Sequence, residues 1–195
     1  ISVYGSLVLS APMSLAAPSA DATVVVTGAS SGIGLEIARG LARRGYPLTL
    51  VARRRDRLDD LADELGRAHR VSVEVAPLDL GESVARSEFL HSLHGRPIAG
   101  LVNSAGFGTH GPFQSLPLGR ERDQVIVNVL ALTELTHATL PPMIAGGAGA
   151  VLNIGSIAGF QPLPGAAVYS ATKAYVQTFS EAVHEGLAGT GVSCT

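Results

Sequence analysis

The 195-residue sequence predicts a doubly wound α/β domain, in which the strands of a parallel sheet alternate with helices. Short β-branched or apolar runs alternate along the chain with segments whose apolar residues recur at helical spacing. Strands separated by helices need crossover connections, which produce a parallel sheet covered on both faces. Apolar residues make up 46% of the chain and charged residues 15%, a balance typical of a folded domain. In such domains ligands bind at the carboxyl ends of the strands.

The first half of the chain predicts three strands, each followed by a helix. Residues 22–27 are a β-branched run that ends at a glycine, which is typical of a buried strand. Ile33, Ile37 and Leu41 recur at helical spacing, and Gly45 closes that helix. The predicted elements are a strand over 22–27, a helix over 33–44, a strand over 47–53, a helix around Leu58, Leu61 and Leu65, a strand over 71–75 and a helix over 82–93.

The second half continues the same alternation. A strand is predicted over 98–103, and a long helix over 118–140 that Pro141 and Pro142 should stop. A strand over 150–155 and a helix over 168–187 follow, and residues 191–195 begin another strand. One domain over 21–195 is therefore expected.

Residues 1–20 are expected to be a leader outside the fold. They are apolar and end in small residues, as signal peptides do, but they lack a positively charged start and contain Pro12 and Pro18. The sequence begins with Ile rather than Met, and Met13 is the expected natural start.

Composition disfavours several classes of function. A net charge of -2 gives no electrostatic reason for a nucleic-acid partner, and no apolar run is long enough to span a bilayer. The six histidines lack the spacing of metal ligands, so no metal site is predicted. The single cysteine, Cys194, fits a buried strand residue in a reducing, cytoplasmic compartment. All 14 basic residues except Lys173 are Arg, which suggests that Lys173 has a role Arg cannot fill.

The segment TGASSGIG at 27–34 lies between the first strand and the first helix. Glycine there lets the backbone approach a diphosphate, and a helix N-terminus offers unpaired N–H groups and partial positive charge. An ordinary glycine-rich turn is the alternative, but the strand–loop–helix context argues against it. The predicted phosphate-binding residues are Gly28, Ser30, Ser31, Gly32, Ile33 and Gly34.

Together with four later motifs, this loop resembles the short-chain dehydrogenase/reductase family, in its branch with a TGxxxGIG loop. The resemblance covers about residues 22–195 and implies a Rossmann-type sheet and an NAD(P)-dependent oxidoreductase acting on CH–OH groups. Ser104 departs from the family's usual NNAG. The later motifs are Asn103-Ser104-Ala105-Gly106 after the fourth strand, Asn128 in the long helix, Ser156 after the fifth strand, and Tyr169-Ser170-Ala171-Thr172-Lys173, which matches YxxxK.

The resemblance implies that Asn128, Ser156, Tyr169 and Lys173 are catalytic. Tyr169 and Lys173 are four residues apart on one helix, so their side chains share a face. A free phenol keeps its proton at neutral pH, and a neighbouring ammonium favours the ionised form. In the family the phenol exchanges a proton with the substrate oxygen, which the serine also hydrogen-bonds. The lysine binds the nicotinamide ribose, and the asparagine supports a water that links this lysine to solvent.

The end of the second strand predicts that NADP(H) is preferred over NAD(H). NAD enzymes of this fold hold the ribose 2′-hydroxyl with an acidic residue there, but this sequence has Arg53 and Arg54. The guanidinium fork of Arg suits a 2′-phosphate, with Arg53 the first candidate and Arg54 the second. The resemblance adds Asp79 and Leu80 at the adenine, although a helix N-cap is an equal interpretation of Asp79. The other cofactor-binding residues that the resemblance implies are Asn103, Ala105, Gly106, Tyr169 and Lys173.

The expected function is hydride transfer between NADPH and a carbonyl or alcohol substrate. Two alternatives stay open: an NADP-binding sensor or regulatory module without turnover, and a dehydration or isomerisation that uses the same tyrosine. The presence of all the catalytic residues favours the oxidoreductase. The expected pocket walls are mostly apolar and comprise Phe107, Phe160, Gln161, Leu163 and Val168.

The resemblance also implies a homodimer or homotetramer, formed by the helix around Asn128 and the helix that carries Tyr169. Tyr175, Phe179, Val183 and Leu187 extend an apolar surface along the latter helix, although burial against the subunit's own sheet is the alternative. Members of the family continue for several tens of residues beyond the position of Thr195. We therefore expect this chain to be truncated after about the start of the sixth strand and inactive on its own.

Overall fold

The computed structural model describes residues 15–195, so the expected start at Met13 lies outside the described residues. Six parallel strands form one sheet in the order β3-β2-β1-β4-β5-β6. The strand order reverses direction between β1 and β4, which is the switch point where sheets of this kind bind ligands. This confirms the predicted Rossmann-type fold. The strands are β1 (Thr23–Thr27), β2 (Leu48–Ala52), β3 (Val73–Pro77), β4 (Ile98–Asn103), β5 (Gly149–Asn153) and β6 (Val192–Cys194).

Helices cover both faces of the sheet and enclose two apolar cores. Val24 and Val26 of β1 belong to one core with α1 and α2, whereas Val25 faces the other core with α3, α5 and α6. Both faces of β1 are buried, which explains its continuous apolar sequence. The helices are α1 (Gly32–Arg43), α2 (Arg55–His69), α3 (Ser83–Ser92), α4 (Leu118–Val125), a π-helical segment (Ile126–Ala131), α5 (Leu132–Ala145) and α6 (Ala167–Gly186), with short 3₁₀ turns at Phe113–Ser115 and Ile157–Gly159.

The predicted end of the long helix is wrong, because Pro141 and Pro142 lie inside α5. Proline keeps a helical φ, but it removes an N–H donor and its ring crowds the carbonyl four residues earlier, so packing must offset this cost for the helix to continue. Met143 supplies that packing, since it is fully buried in the second core. The helix ends only where Gly146 N–H donates to the Pro142 carbonyl at 3.0 Å.

The third strand starts two residues later than predicted. Arg70 ends α2 with a left-handed φ of 57°, and its N–H donates to the Gly66 carbonyl at 3.0 Å. Residues 71 and 72 lead the chain away from the helix, so pairing with β2 begins at Val73, opposite Leu48.

Residues just before the sheet contact it. Leu15 packs against the first core, and the Tyr46 hydroxyl donates to the Ala16 carbonyl at 2.7 Å. The domain boundary at residue 21 stays a prediction. Over residues 15–195, no helix is long and apolar enough to cross a membrane. Cys194 is buried in β6, and this burial raises the pKa of its thiol to about 11.

Candidate active site

A cavity of about 560 Å³ opens at the carboxyl ends of the central strands. Its walls are formed by the loops that follow β1, β2, β3, β4 and β5, and by α4, the π-helical segment and α6. Most of the predicted site residues line it: Gly28, Ser30, Ser31, Ile33, Arg53, Arg54, Asp79, Leu80, Ala105, Gly106, Tyr169 and Lys173. The other predicted residues, Gly32, Gly34, Asn103, Asn128 and Ser156, lie behind or beside this lining.

The glycine loop is packed backbone against backbone. Gly28 has a φ of 68°, and a Cβ there would lie 2.9 Å from the Ala105 nitrogen. A Cβ at Gly34 would lie only 2.7 Å from the Gly28 carbonyl oxygen. At Gly32, with a φ of 61°, a Cβ would meet open space. Glycine is thus required for a left-handed turn at Gly28 and Gly32 and for a close approach at Gly28 and Gly34.

Thr27 is a structural determinant of this loop that the sequence motif did not reveal. Its Oγ1 accepts hydrogen bonds from the N–H groups of Ser104 and Ala105, both at 3.0 Å. The same hydroxyl donates to the Val102 carbonyl at 3.2 Å. One buried side chain therefore joins the glycine loop to the end of β4.

The start of α1 suits an anion. Ser31 is the N-cap but its side chain makes no capping hydrogen bond, which leaves the N–H groups of the first turn as donors for a ligand. The Ser31 and Ser30 hydroxyls instead each accept a hydrogen bond from Arg54 Nη2 at 2.9 Å. Helix N–H groups and a guanidinium are a donor set that fits the phosphates of a dinucleotide.

Arg53 and Asp79 face each other across the cavity mouth. Arg53 Nη1 lies 3.6 Å from Asp79 Oδ2, and the arginine side chain is 74% exposed. Asp79 Oδ1 accepts from the Gly81 N–H at 2.8 Å, whereas the N-cap of α3 is Glu82. The N-cap interpretation of Asp79 is therefore wrong, because this side chain closes the turn before the helix.

Lys173 is buried, and its ammonium is fixed by the sheet. Its Nζ donates to the Ile154 carbonyl, just after β5, at 2.5 Å and lies 5.9 Å from the centre of the Tyr169 ring. Burial lowers the pKa of the Lys173 ammonium. An ammonium has three donors, so further donors remain for a ligand in the cavity. Tyr169 and Lys173 lie on one face of α6 and line the cavity together, as their spacing predicts.

Ser156 follows β5 and is the N-cap of the 3₁₀ turn Ile157–Gly159. Its Oγ accepts from the Ala158 N–H at 3.1 Å. The hydroxyl hydrogen is still available for another acceptor, so the capping role and the expected catalytic role are compatible.

Asn128 lies in the π-helical segment and joins two parts of the site. Its Oδ1 accepts from the Phe107 N–H at 3.1 Å, and its Nδ2 donates to the Phe107 carbonyl at 2.9 Å and to Thr172 Oγ1 at 3.1 Å. The side chain is 2% exposed and does not line the cavity. It fastens the loop after β4 to α6, while its support of a water remains a prediction.

The side chain of Asn103 points away from the cavity. Its Nδ2 donates to Asn153 Oδ1 at 2.9 Å and to Thr136 Oγ1 at 3.1 Å, inside the fold. Its carbonyl accepts from the Ile154 N–H at 3.0 Å. These hydrogen bonds join β4 to β5 and α5. The resemblance implied that Asn103 binds the cofactor, but the structure places its side chain inside the fold and not at the cavity.

The wall opposite the glycine loop contains residues that sequence reasoning missed. Of the expected apolar walls only Phe107 lines the cavity, and Phe160 is 72% exposed outside it. Arg120, Asp123 and Val127 also line the cavity, and the Arg120 guanidinium lies 4.3 Å above the Phe107 ring. Their spacing along one face of the predicted helix was the signal that could have identified them.

The comparisons with known proteins agree with this geometry. A family model described as short chain dehydrogenase matches residues 22–195. Sulfoacetaldehyde reductase 2 of Chromohalobacter salexigens is 41% identical over 176 residues, which are 88% of this chain and 69% of that protein. Very-long-chain 3-oxoacyl-CoA reductase of Bos taurus is 34% identical over 86% of this chain and 55% of its own length. The chain thus spans between about half and two thirds of the length of these relatives.

Solved structures give the same result. A short-chain dehydrogenase from Sphingobium yanoikuyae in complex with NADPH is 38% identical, with a TM-score of 0.86 over 89% of this chain and 68% of that one. L-Sorbose reductase from Gluconobacter frateurii, complexed with NADPH and L-sorbose, is 30% identical, with a TM-score of 0.81 over 90% of this chain and 68% of that one.

The close packing of Gly34 predicts that Gly34→Ala weakens NADPH binding by about 10-fold or more, equivalent to about 1.4 kcal/mol. The added Cβ would lie 2.7 Å from a backbone oxygen, so the phosphate loop must move. Gly40→Ala is the matched control in the same helix, because the nearest atom to its Cβ is the flexible end of Arg43 at 3.9 Å. Titration of NADPH fluorescence measures both variants, and equal affinities would contradict the assignment of the loop.

Proposed function

Since the chain belongs to the short-chain dehydrogenase family, we propose that it is an NADP-dependent oxidoreductase that interconverts a carbonyl and an alcohol, with Tyr169 as the acid/base. The family match confirms two predictions from the motifs: the family itself and the enzyme class, an oxidoreductase. The observation that supports the proposed activity best is the Lys173 ammonium, fixed on the Ile154 carbonyl beside Tyr169 at the cavity wall.

The residues present fit a dinucleotide with a 2′-phosphate. NADPH, when bound, would supply the hydride. The loop from Gly28 to Gly34 would hold the diphosphate, and Arg53 and Arg54 the 2′-phosphate. Asp79 and Leu80 would contact the adenine, and the backbone of Ala105 and Gly106 would close the opposite side. NADPH in the structures of two similar proteins supports the choice of cofactor.

The proton chemistry is assigned to Ser156, Tyr169 and Lys173. The phenol gives a proton to the carbonyl oxygen in reduction and takes one from the alcohol in oxidation. The Lys173 ammonium places a positive charge 5.9 Å from the centre of the Tyr169 ring. The serine hydroxyl donates to the reacting oxygen and fixes its position. The remaining donors of Lys173 would also hold the nicotinamide ribose.

The names of the similar proteins indicate the group on which the enzyme acts. Sulfoacetaldehyde, 3-oxoacyl-CoA and L-sorbose differ in size and charge but share a carbonyl. We therefore propose that the reacting group of the substrate is a carbonyl, and we assign no identity to the rest of the substrate. The cytoplasmic location, expected from the single cysteine, stays a prediction.

We further propose a homo-oligomer formed by the long helix around Asn128 (α4, the π-helical segment and α5) and by α6. Val125, Leu130 and Tyr175 are exposed by 45%, 41% and 37%. Val183 and Leu187 do not contribute to this surface, because both pack into the second core of their own subunit. The expected apolar stripe on α6 is thus reduced to Tyr175 and Phe179, whose rings stack at 5.5 Å.

The arginines at the end of β2 predict the cofactor preference. Arg53→Ala and Arg54→Ala should each lower the affinity for NADPH by about 10- to 100-fold, the worth of a hydrogen bond to a charged group. The affinity for NADH should stay nearly unchanged. Arg55→Ala is the adjacent control, since Arg55 does not line the cavity. Steady-state kinetics with both cofactors measures the preference, and equal or better efficiency of the unsubstituted protein with NADH would contradict it.

Removal of one hydroxyl tests the acid/base. Tyr169→Phe should lower turnover by about 100-fold or more, because proton transfer is lost, while NADPH affinity is kept. Tyr175→Phe on the same helix is the control, since its hydroxyl bonds Thr133 Oγ1 at 2.8 Å, away from the cavity. NADPH oxidation over a panel of carbonyl compounds provides the assay. Substantial turnover of Tyr169→Phe would refute the assignment.

The proposed oligomer predicts that light scattering finds a dimer or tetramer. Leu130→Arg should shift the population towards monomer, because it places a charge on the apolar surface. Val84→Arg is the control, since Val84 is 69% exposed on α3, on a different helix. A monomer for the unsubstituted protein would count against the proposal.

A further inference from the structure

We propose that Gly108, held in place by Thr109, Glu121 and Gln124, is a positioning residue that sets the orientation of the Tyr169 ring. The inference rests on the proposed function, because it needs Tyr169 as the acid/base. It concerns residues outside the motifs of the sequence. The segment involved is the loop of residues 106–111, which follows β4 and crosses to the start of α6.

The backbone of Gly108 lies directly against the tyrosine ring. A Cβ at Gly108 would lie 2.9 Å from Tyr169 Cδ2 and 3.2 Å from Cγ. The φ of Gly108 is not in the left-handed region, so any residue could adopt its backbone conformation. The absence of a side chain therefore matters for the space that it leaves to the ring and not for the turn.

A buried polar cluster holds the residue next to Gly108. Gln124 is fully buried, and its Oε1 accepts from the Thr109 N–H at 3.2 Å. Glu121 is 5% exposed, and its Oε1 accepts from the Thr109 hydroxyl at 2.6 Å. Burial of such groups is costly unless they are hydrogen-bonded. Here Gln124 and Glu121 both accept hydrogen bonds from Thr109, and these bonds fix the distance between the loop and α4.

The loop is also fastened on both sides of this cluster. Asn128 binds the N–H and the carbonyl of Phe107, and the Gly111 N–H donates to the Gly165 carbonyl at 2.8 Å, one turn before Tyr169. The ring thus lies against a hydrogen-bonded backbone, and the Lys173 ammonium lies 5.9 Å from the ring centre. A small displacement of this backbone would move the phenol relative to both the ammonium and the substrate oxygen.

Gly108→Ala tests this contact directly. We expect kcat to fall by about 10- to 100-fold, as a displacement of about 1 Å can cause, with unchanged NADPH affinity and melting temperature. The pH profile of kcat should shift as well, because the distance between phenol and ammonium changes. Gly119→Ala is the matched control, since nothing lies within 4 Å of its Cβ. A kcat and pH profile equal to those of Gly119→Ala would overturn the proposal.

Thr109 tests the support of the loop. Thr109→Val keeps the shape of the side chain but removes the donor to Glu121, so kcat should fall and the pH profile should shift as in Gly108→Ala. Thr109→Ser restores the hydroxyl and should recover both. Thr109→Val leaves the buried Glu121 carboxylate without this bond, so its melting temperature should fall. A loss of NADPH affinity in parallel with kcat would show a structural role only and overturn the inference. If Tyr169→Phe keeps its turnover, the proposed function itself fails, whatever these variants do.

Discussion

The hydrogen bond from the Lys173 ammonium to the Ile154 carbonyl is the interaction on which the geometry of the site depends. A buried charge is costly unless it is hydrogen-bonded, so this bond fixes α6 against the end of β5. Tyr169 lies one turn earlier on the same face and is thereby directed over the cavity. A compact ammonium can make this bond and keep further donors, whereas a planar guanidinium is larger and shaped as a fork. This accounts for a lysine rather than an arginine at position 173.

The walls of the cavity are closely packed at three glycines. Gly28 lies against Ala105 and Gly34 against Gly28, backbone on backbone, and the Gly108 backbone lies against the Tyr169 ring. Buried polar side chains connect the segments that contain these glycines. Thr27 joins the loop after β1 to the loop after β4, and Asn128 joins the latter to α6. The glycine loop and α6 are therefore connected through hydrogen bonds of 3.0 and 3.1 Å.

Local patterns predicted much of this arrangement from sequence. The bounds of β4 match the prediction, and the i, i+4 spacing placed Tyr169 and Lys173 on one face. Contacts between distant segments were not accessible. The bonds of Thr27 span 77 residues to Ser104, and no local pattern reveals that Asn103 turns into the core. The π-helical segment around Asn128 packs against α6, and Met143 of α5 is buried in the second core beside the two prolines, both contacts between segments distant in sequence.

The central claim is that this site performs hydride transfer, and isotope transfer tests it most directly. The protein is incubated with NADPH deuterated at the transferable position and a carbonyl compound that it turns over, and the alcohol is analysed by mass spectrometry and NMR. We predict one deuterium on the former carbonyl carbon of each product molecule. Conversion of substrate without deuterium in the product would contradict hydride transfer and indicate that the same tyrosine serves a dehydration or isomerisation.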